Sequence, residues 1–219
     1  MKSRSITRIL CASSFVLLLL LLAQTSAHAD DFTVNINTSS LVGTTGSYSV
    51  AFVLDDASGK GDMNNSITLS DFNFGGGSGG ATIYSTSTGV SGDLASGTIV
   101  LTEPVSESAL LASLTPGNSI SFDASMTTNP TSDVNGETGL TGDTFEVLIY
   151  NGDNEVNGPG PYGTFLMAEI GSNGTLTFEP AGVATQVVTT PEPSSLLMLF
   201  GGLVALLGLG LTRKRLVLA

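Results

Sequence analysis

Tyr48-Ser49-Val50-Ala51-Phe52-Val53-Leu54 decides the fold, because Tyr48, Val50, Phe52 and Leu54 recur at every second position. Successive side chains of an extended chain point to opposite faces, so a period of two places these four residues on one face and predicts a half-buried strand. The same alternation recurs on both sides of the stretch. Phe32, Val34 and Ile36 show it, as do Ile67 with Leu69, Ile120, Phe122, Ala124 and Met126, and Phe145, Val147 and Ile149. Shorter candidates lie at 82–84, 98–101, 163–170 and 176–178, with Gly, Asn, Asp and Pro between the runs. About nine strands result, which predicts an all-β domain over residues 30–179, an antiparallel β-sandwich of jelly-roll-like type. One segment breaks the pattern: Ala109, Leu110, Leu111 and Leu114 within 107–114 predict a short helix or helical turn. A domain of about 150 residues buries a core without covalent staples.

The run Gly75-Gly76-Gly77-Ser78-Gly79-Gly80 contains both G-x-S-x-G and G-x-G-x-x-G. Each pattern carries chemistry only between a strand and a helix. Here Ala81-Thr82-Ile83-Tyr84 follows with strand-type residues, so the run predicts a flexible glycine turn between strands.

Composition removes whole classes of chemistry. Of seven Lys and Arg, three (Lys2, Arg4, Arg8) lie near the start and three (Arg213, Lys214, Arg215) near the end, leaving only Lys60 between residues 30 and 190. Eighteen of the nineteen Asp and Glu lie in that same interval. It contains no His, Cys, Arg or Trp, since His28 and Cys11 both precede it. Without imidazole or thiol there is no Ser-His or Cys-His nucleophile, no zinc-type ligand set and no disulfide. A single lysine on a polyanion cannot neutralise phosphates, so no nucleic-acid partner is expected. Lys60 itself lies between glycines in Ser58-Gly59-Lys60-Gly61 and reads as a solvated turn residue.

The two ends read as an address. Lys2, Arg4 and Arg8 precede an apolar run through Leu17–Leu22 that closes on Ala27-His28-Ala29. This is a signal-peptide pattern over 1–29, with cleavage after Ala29. At the other end Pro191-Glu192-Pro193 precedes an apolar span and the basic cluster Arg213-Lys214-Arg215. Sixteen residues from Leu196 to Leu211 rise about 24 Å, and adding Ser194, Ser195 and Thr212 brings the length to about 28 Å, marginal for a bilayer core of about 30 Å. A transmembrane helix is thus expected at 195–212, weakened by Gly201, Gly202, Gly208 and Gly210, as suits a temporary anchor. Basic flanks stay cytoplasmic, so the segment between them is expected to be exported. Residues 180–190, uncharged and rich in Ala, Val and Thr, read as a linker.

The tail 191–219 resembles the PEP-CTERM sorting signal of Gram-negative and related bacteria: triplet, span and basic end stand in register, with a signal peptide on the same chain. The resemblance implies a membrane-embedded exosortase as processing partner, and extracellular polysaccharide or biofilm matrix as the setting. Upstream, the stretches 65–74 and 143–149 loosely resemble sandwich ectodomains of such carriers, to which no activity attaches.

Three functional expectations follow. The first is an exported, cell-surface or matrix-associated structural or interaction protein, membrane-anchored and then released or retained at the surface, with no enzymatic activity. The second is a carbohydrate-binding module, calcium-assisted, for which exposed Tyr48, Tyr84, Tyr150 or Tyr162 beside carboxylates on a concave face would speak. The third is a glycosidase built on two facing carboxylates. No cofactor is expected, and calcium is the metal that fits an oxygen-only ligand supply. Asp153, Glu155 and Asn157, with Gly158, match the opening of an EF-hand loop, but position twelve falls on Thr164. Asp55, Asp56, Asp62 and Asn64 form a second oxygen-rich loop.

Overall fold

The computed structural model describes residues 29–129, 142–156, 158, 164–171, 173–179 and 185–190. Thirteen strands and one short turn of 3-10 helix, Ser39–Leu41, make up the described chain. The strands are β1 Ala29–Asn37, β2 Tyr48–Asp55, β3 Ser66–Asn73, β4 Ser78–Ser85, β5 Val90–Asp93, β6 Thr98–Thr102, β7 Glu107–Thr115, β8 Ser119–Thr127, β9 Thr144–Asn151, β10 Asn154–Glu155, β11 Leu166–Ile170, β12 Leu176–Glu179 and β13 Thr185–Thr190. One sheet runs β13-β1-β8-β3-β6-β5 and the other β12-β11-β9-β2-β7-β4, with β10 paired to β9. Every pairing is antiparallel.

The alternating rows read from sequence are the two inner faces. Val50, Phe52 and Leu54 of the second sheet and Val34, Ile36, Phe122 and Met126 of the first are all within about one per cent of full burial and belong to one cluster. Aromatic rings join the sheets across that core. Phe52 meets Phe122 edge-to-face at 5.7 Å and Phe72 at 5.6 Å, and Phe32 meets Phe178 at 4.9 Å. Edge-to-face packing of this kind adds about 0.5–1.5 kcal/mol per pair beyond the area buried. The fold is an antiparallel β-sandwich.

Three sequence expectations require correction. Residues 107–114 are not helical: they form β7, between β2 and β4, with Leu110, Ala112 and Leu114 facing the core. The helical spacing came from counting Leu111, which lies on the opposite, half-buried face. A strand flanked on both edges and largely covered on both faces loses its clean alternation, so period alone misreads it. Residues 185–190 are not linker: they form β13 and pair with β1 from Asp31↔Thr190 to Ile36↔Thr185. The glycine run is a turn only in its first half, where Gly75 and Gly76 take φ of 55° and 93°, whereas Ser78-Gly79-Gly80 already belongs to β4. β5 and β10 were not anticipated, each being too short to show a period.

The predicted signal peptide and the transmembrane helix at 195–212 lie outside the described residues. Among the described residues no helix is long and apolar enough to cross a membrane.

Antiparallel register brings several distant segments to one end of the sandwich. The ends of β2, β6 and β8 meet the starts of β3, β7 and β9 there, since Asp55 pairs with both Glu107 and Thr144, Ser66 with Thr102, and Ile67 with Met126. β1 begins at this end, Ala29 opposite Thr127, and β13 finishes there.

Candidate functional site

At that end the β2–β3 loop folds over the sheets and buries polar side chains. Asp56, Glu103 and Asp143 are each fully buried, and Asn65 is 2% exposed. They arrive from four separate places: Asp56 just after β2, Asn65 just before β3, Glu103 just after β6, and Asp143 just before β9.

Asp56 organises the loop. One of its oxygens accepts the Ser58 N–H at 2.8 Å, and the other accepts the Ser58 hydroxyl at 2.7 Å and the N–H groups of Lys60 and Gly61. Burial would raise its pKa, but these donors together outweigh it and hold the carboxyl below its ordinary value. Gly61 can make this turn because its φ is +77° and a Cβ would overlap the Pro104 backbone. Met63 follows in the left-handed region at φ 58°, its side chain exposed, while its N–H reaches the Glu103 carbonyl at 3.1 Å.

Asn65 links the remaining carboxylates. Its backbone N–H donates to Glu103 Oε2 at 3.2 Å, and its side-chain amide donates to Asp143 Oδ2, to Asn64 Oδ1 at 2.8 Å and to the Asn129 carbonyl at 2.9 Å. In return Asn65 Oδ1 accepts the Asn129 N–H at 2.8 Å. Asp143 Oδ1 accepts the Ala57 N–H at 2.9 Å. Burial is the main force raising the Asp143 pKa, opposed by those two donors and reinforced by the charges of Asp56 and Asp62. Glu103 is pushed furthest, up to about 9, by burial first and then by the Asp143 charge, with only the Asn65 N–H acting the other way among its nearer influences. Its second oxygen, Oε1, is buried and has no hydrogen-bond partner among the described residues. Among the described residues no three His, Cys, Asp or Glu side chains form a ready-made metal centre.

The outer faces of the sheets differ in chemistry. On the first sheet, Thr33, Asp123 and Ser70 stand in one cross-strand row, and Asp31, Ser125 and Thr68 in the next. They line a shallow hollow of about 300 Å³, within which the Thr33 hydroxyl donates to Asp123 at 2.6 Å. On the second sheet, Asp55 lies directly opposite Glu107, with Glu146 one strand away. Burial, then the charges of Glu146 and Glu107, raise Asp55 to about 7. Burial also raises Glu146, with Glu155 and Glu107 adding to it.

The residues nominated from sequence are dispersed. Asp153 is exposed in the β9–β10 turn and Glu155 is exposed on β10, while Asn157 lies outside the described residues. Of the second oxygen-rich loop, Asp56 turns inward, Asp62 is exposed and Asp55 faces a different sheet surface. Tyr48 is buried with its hydroxyl 2.6 Å from Thr44, Tyr84 is exposed on β4, Tyr150 is half-buried on β9, and Tyr162 lies outside the described residues. Lys60 is exposed, and the Ser58 hydroxyl donates to Asp56 while accepting the backbone N–H of Lys60. Ala29 opens β1, whereas Ala27, Pro191, Glu192, Pro193, Arg213, Lys214 and Arg215 lie outside the described residues. Glu103 and Asp143 escaped the sequence reading because neither sits in an acidic run; each is a single carboxylate at a strand end, beside Pro104 and Thr144 respectively.

Comparison with protein-family models, curated proteins and solved structures found no match to this chain.

Proposed function

We propose that the chain is an exported structural or interaction protein of the cell surface or extracellular matrix, sorted and cleaved at its Pro191-Glu192-Pro193 tail by a membrane exosortase. The observation that carries this reading lies in the sequence: the signal-peptide pattern at 1–29 and the triplet, apolar span and basic end at 191–219 stand on one chain. The described strands, from β1 at Ala29 to β13 at Thr190, lie between those two segments. A chain starting at Asp30 would keep the pairing of β1 with β8 from Asp30↔Met126 to Asn37↔Ser119. Because β1 starts and β13 ends at the same end of the sandwich, both address segments leave from the end that buries Glu103 and Asp143. Strands β1 to β5 and β6 to β9 alternate between the sheets, which supports the jelly-roll-like variant of the fold, whereas β9 to β12 stay in one sheet.

The intact mass of protein recovered from the surface of the producing cell tests the reading. The expected product starts at Asp30 and ends near the triplet; a mature form that still carries Arg213 to Arg215 overturns the processing step.

A second reading, a carbohydrate-binding module, draws on the hollow lined by Thr33, Thr68, Ser70, Asp123 and Ser125, whose hydroxyls and carboxylates suit the hydroxyls of a neutral glycan. The tyrosine platform expected for it does not support it, since Tyr48 is internal and Tyr84 and Tyr150 belong to the other sheet. Calorimetry against neutral polysaccharides, with Asp123→Ala as the control, decides it. Binding that survives the substitution removes the hollow from consideration. The glycosidase reading lacks its geometry at Asp55 and Glu107, which share one sheet face instead of standing on opposite walls of a cleft.

A further inference from the structure

We infer that Glu103 and Asp143, clamped by Asn65, form a binding site for one hard divalent cation of the calcium class. The decisive observation is Glu103 Oε1, an oxygen on a fully buried side chain with no hydrogen-bond partner. An unmade partnership at a buried polar atom is costly in either protonation state. If Glu103 is ionised, Oε1 carries charge with nothing to answer it. If it is protonated there, the O–H finds no acceptor. Among the described residues neither form is satisfied, which leaves a place for a partner from outside the chain.

The surroundings select the charge of that partner. Asn65 donates to Oε2 of Glu103 and to Oδ2 of Asp143, so two carboxylates are held against one residue, with Asp56 and Asp62 adding negative potential from the β2–β3 loop. No positive side chain is available, because Lys60, the only lysine or arginine between residues 30 and 190, is exposed. Two carboxylates balance the charge of one divalent cation. Calcium accepts a mixed set of six to eight oxygens, including amide and main-chain carbonyls and water, so it does not need the third carboxylate that the cluster lacks. Asn64 Oδ1 and the Asn129 carbonyl lie within hydrogen-bond distance of the same Asn65 amide that holds Asp143. Zinc, which wants nitrogen or sulfur, is not served.

The test uses the full chain and calcium alone, with magnesium for comparison. At pH 7.5, isothermal calorimetry should give a single site with Kd on the order of 10⁻⁴–10⁻³ M, the range of extracellular modules. Calcium should raise the melting temperature of the wild type. Glu103→Gln, a neutral isostere, should fold and lose at least about tenfold in affinity, an effect of about 1.4 kcal/mol. Asp153→Asn should bind as the wild type does. No heat and no melting shift up to 10 mM calcium would mean that Oε1 faces only a water, and the inference fails. An equal melting shift in Glu103→Gln would mean diffuse binding to an acidic surface, which also overturns it. Should Glu103→Gln not fold, Asp143→Asn takes its place: the same loss of affinity is expected, and unchanged binding rejects the site. None of these outcomes bears on the processing of the tail.

Discussion

Asp55 on β2 stands directly opposite Glu107 on β7 in the antiparallel ladder, a like-charge pair on the outer face of the second sheet. Burial and the charges of Glu146 and Glu107 raise Asp55 to about 7, so much of the cost is avoided by protonation in acid and returns above neutrality. Directly opposed like charges destabilise a sheet, by about 0.2–1 kcal/mol as cross-strand pairs go. Asp55→Asn should therefore raise the melting temperature by about 2–4 °C at pH 8 and leave it nearly unchanged at pH 5. An equal gain at both pH values would show that charge is not the cause.

Stability should fall as pH rises. Glu103 has an ordinary value of 4.5 and a folded-state value of about 9, so the folded protein holds this proton more tightly than the unfolded chain does. Its contribution is whole below pH about 4.5 and is lost progressively as pH climbs toward 9. Asp55 acts in the same direction between 3.8 and about 7. Asp56, held low by its donors, acts oppositely, and its contribution is lost as the solution becomes strongly acid. Urea midpoints measured in chelator should decline from pH 5 to pH 9, with Glu103→Gln flattening the upper part of the curve. A midpoint that climbs steadily over that range contradicts the assignment.

Asn65→Ala should be among the most damaging single changes at the loop end. It removes the amide that bonds Asp143, Asn64 and Asn129, and the oxygen that receives the Asn129 N–H, at a side chain 2% exposed. Buried groups left unpaired cost about 1–3 kcal/mol each, so a loss of about 3 kcal/mol or more is expected in equilibrium unfolding. A loss below about 1 kcal/mol would mean that water replaces the amide freely.

Phe52→Ala should cost about 3–5 kcal/mol, because its ring meets Phe72 and Phe122 across the sandwich and leaves a cavity between the sheets. Phe178→Ala, at a half-buried ring near the edge, should cost less. Denaturant midpoints with unchanged slope provide the check.

Truncation separates a strand from a stalk. A chain ending at Thr190 should melt like the mature protein, whereas one ending at residue 184 strips β1 of its partner from Asp31 to Ile36 and should melt lower, with faster amide exchange along β1. Equal melting of the two chains would return 185–190 to the role of a linker.

The amino-acid sequence by itself determined the strand-forming rows and the chemical poverty of the domain. Tyr48, Val50, Phe52 and Leu54 point one way because an extended backbone has a period of two, whatever it later packs against. The lack of His, Cys and Arg between residues 30 and 190 is likewise fixed before folding. Partnership was decided only in three dimensions. β7 became a strand because β2 and β4 flank it, and β13 because β1 offered an edge; local composition alone read them as helix and linker. Asn65 lies 38 residues from Glu103 and 78 from Asp143, and hydrogen bonds over such separations leave no mark in local spacing. Strand register carries these residues to one end, and burial there turns three unremarkable polar positions into the place where, among the described residues, a buried side-chain oxygen is left unanswered.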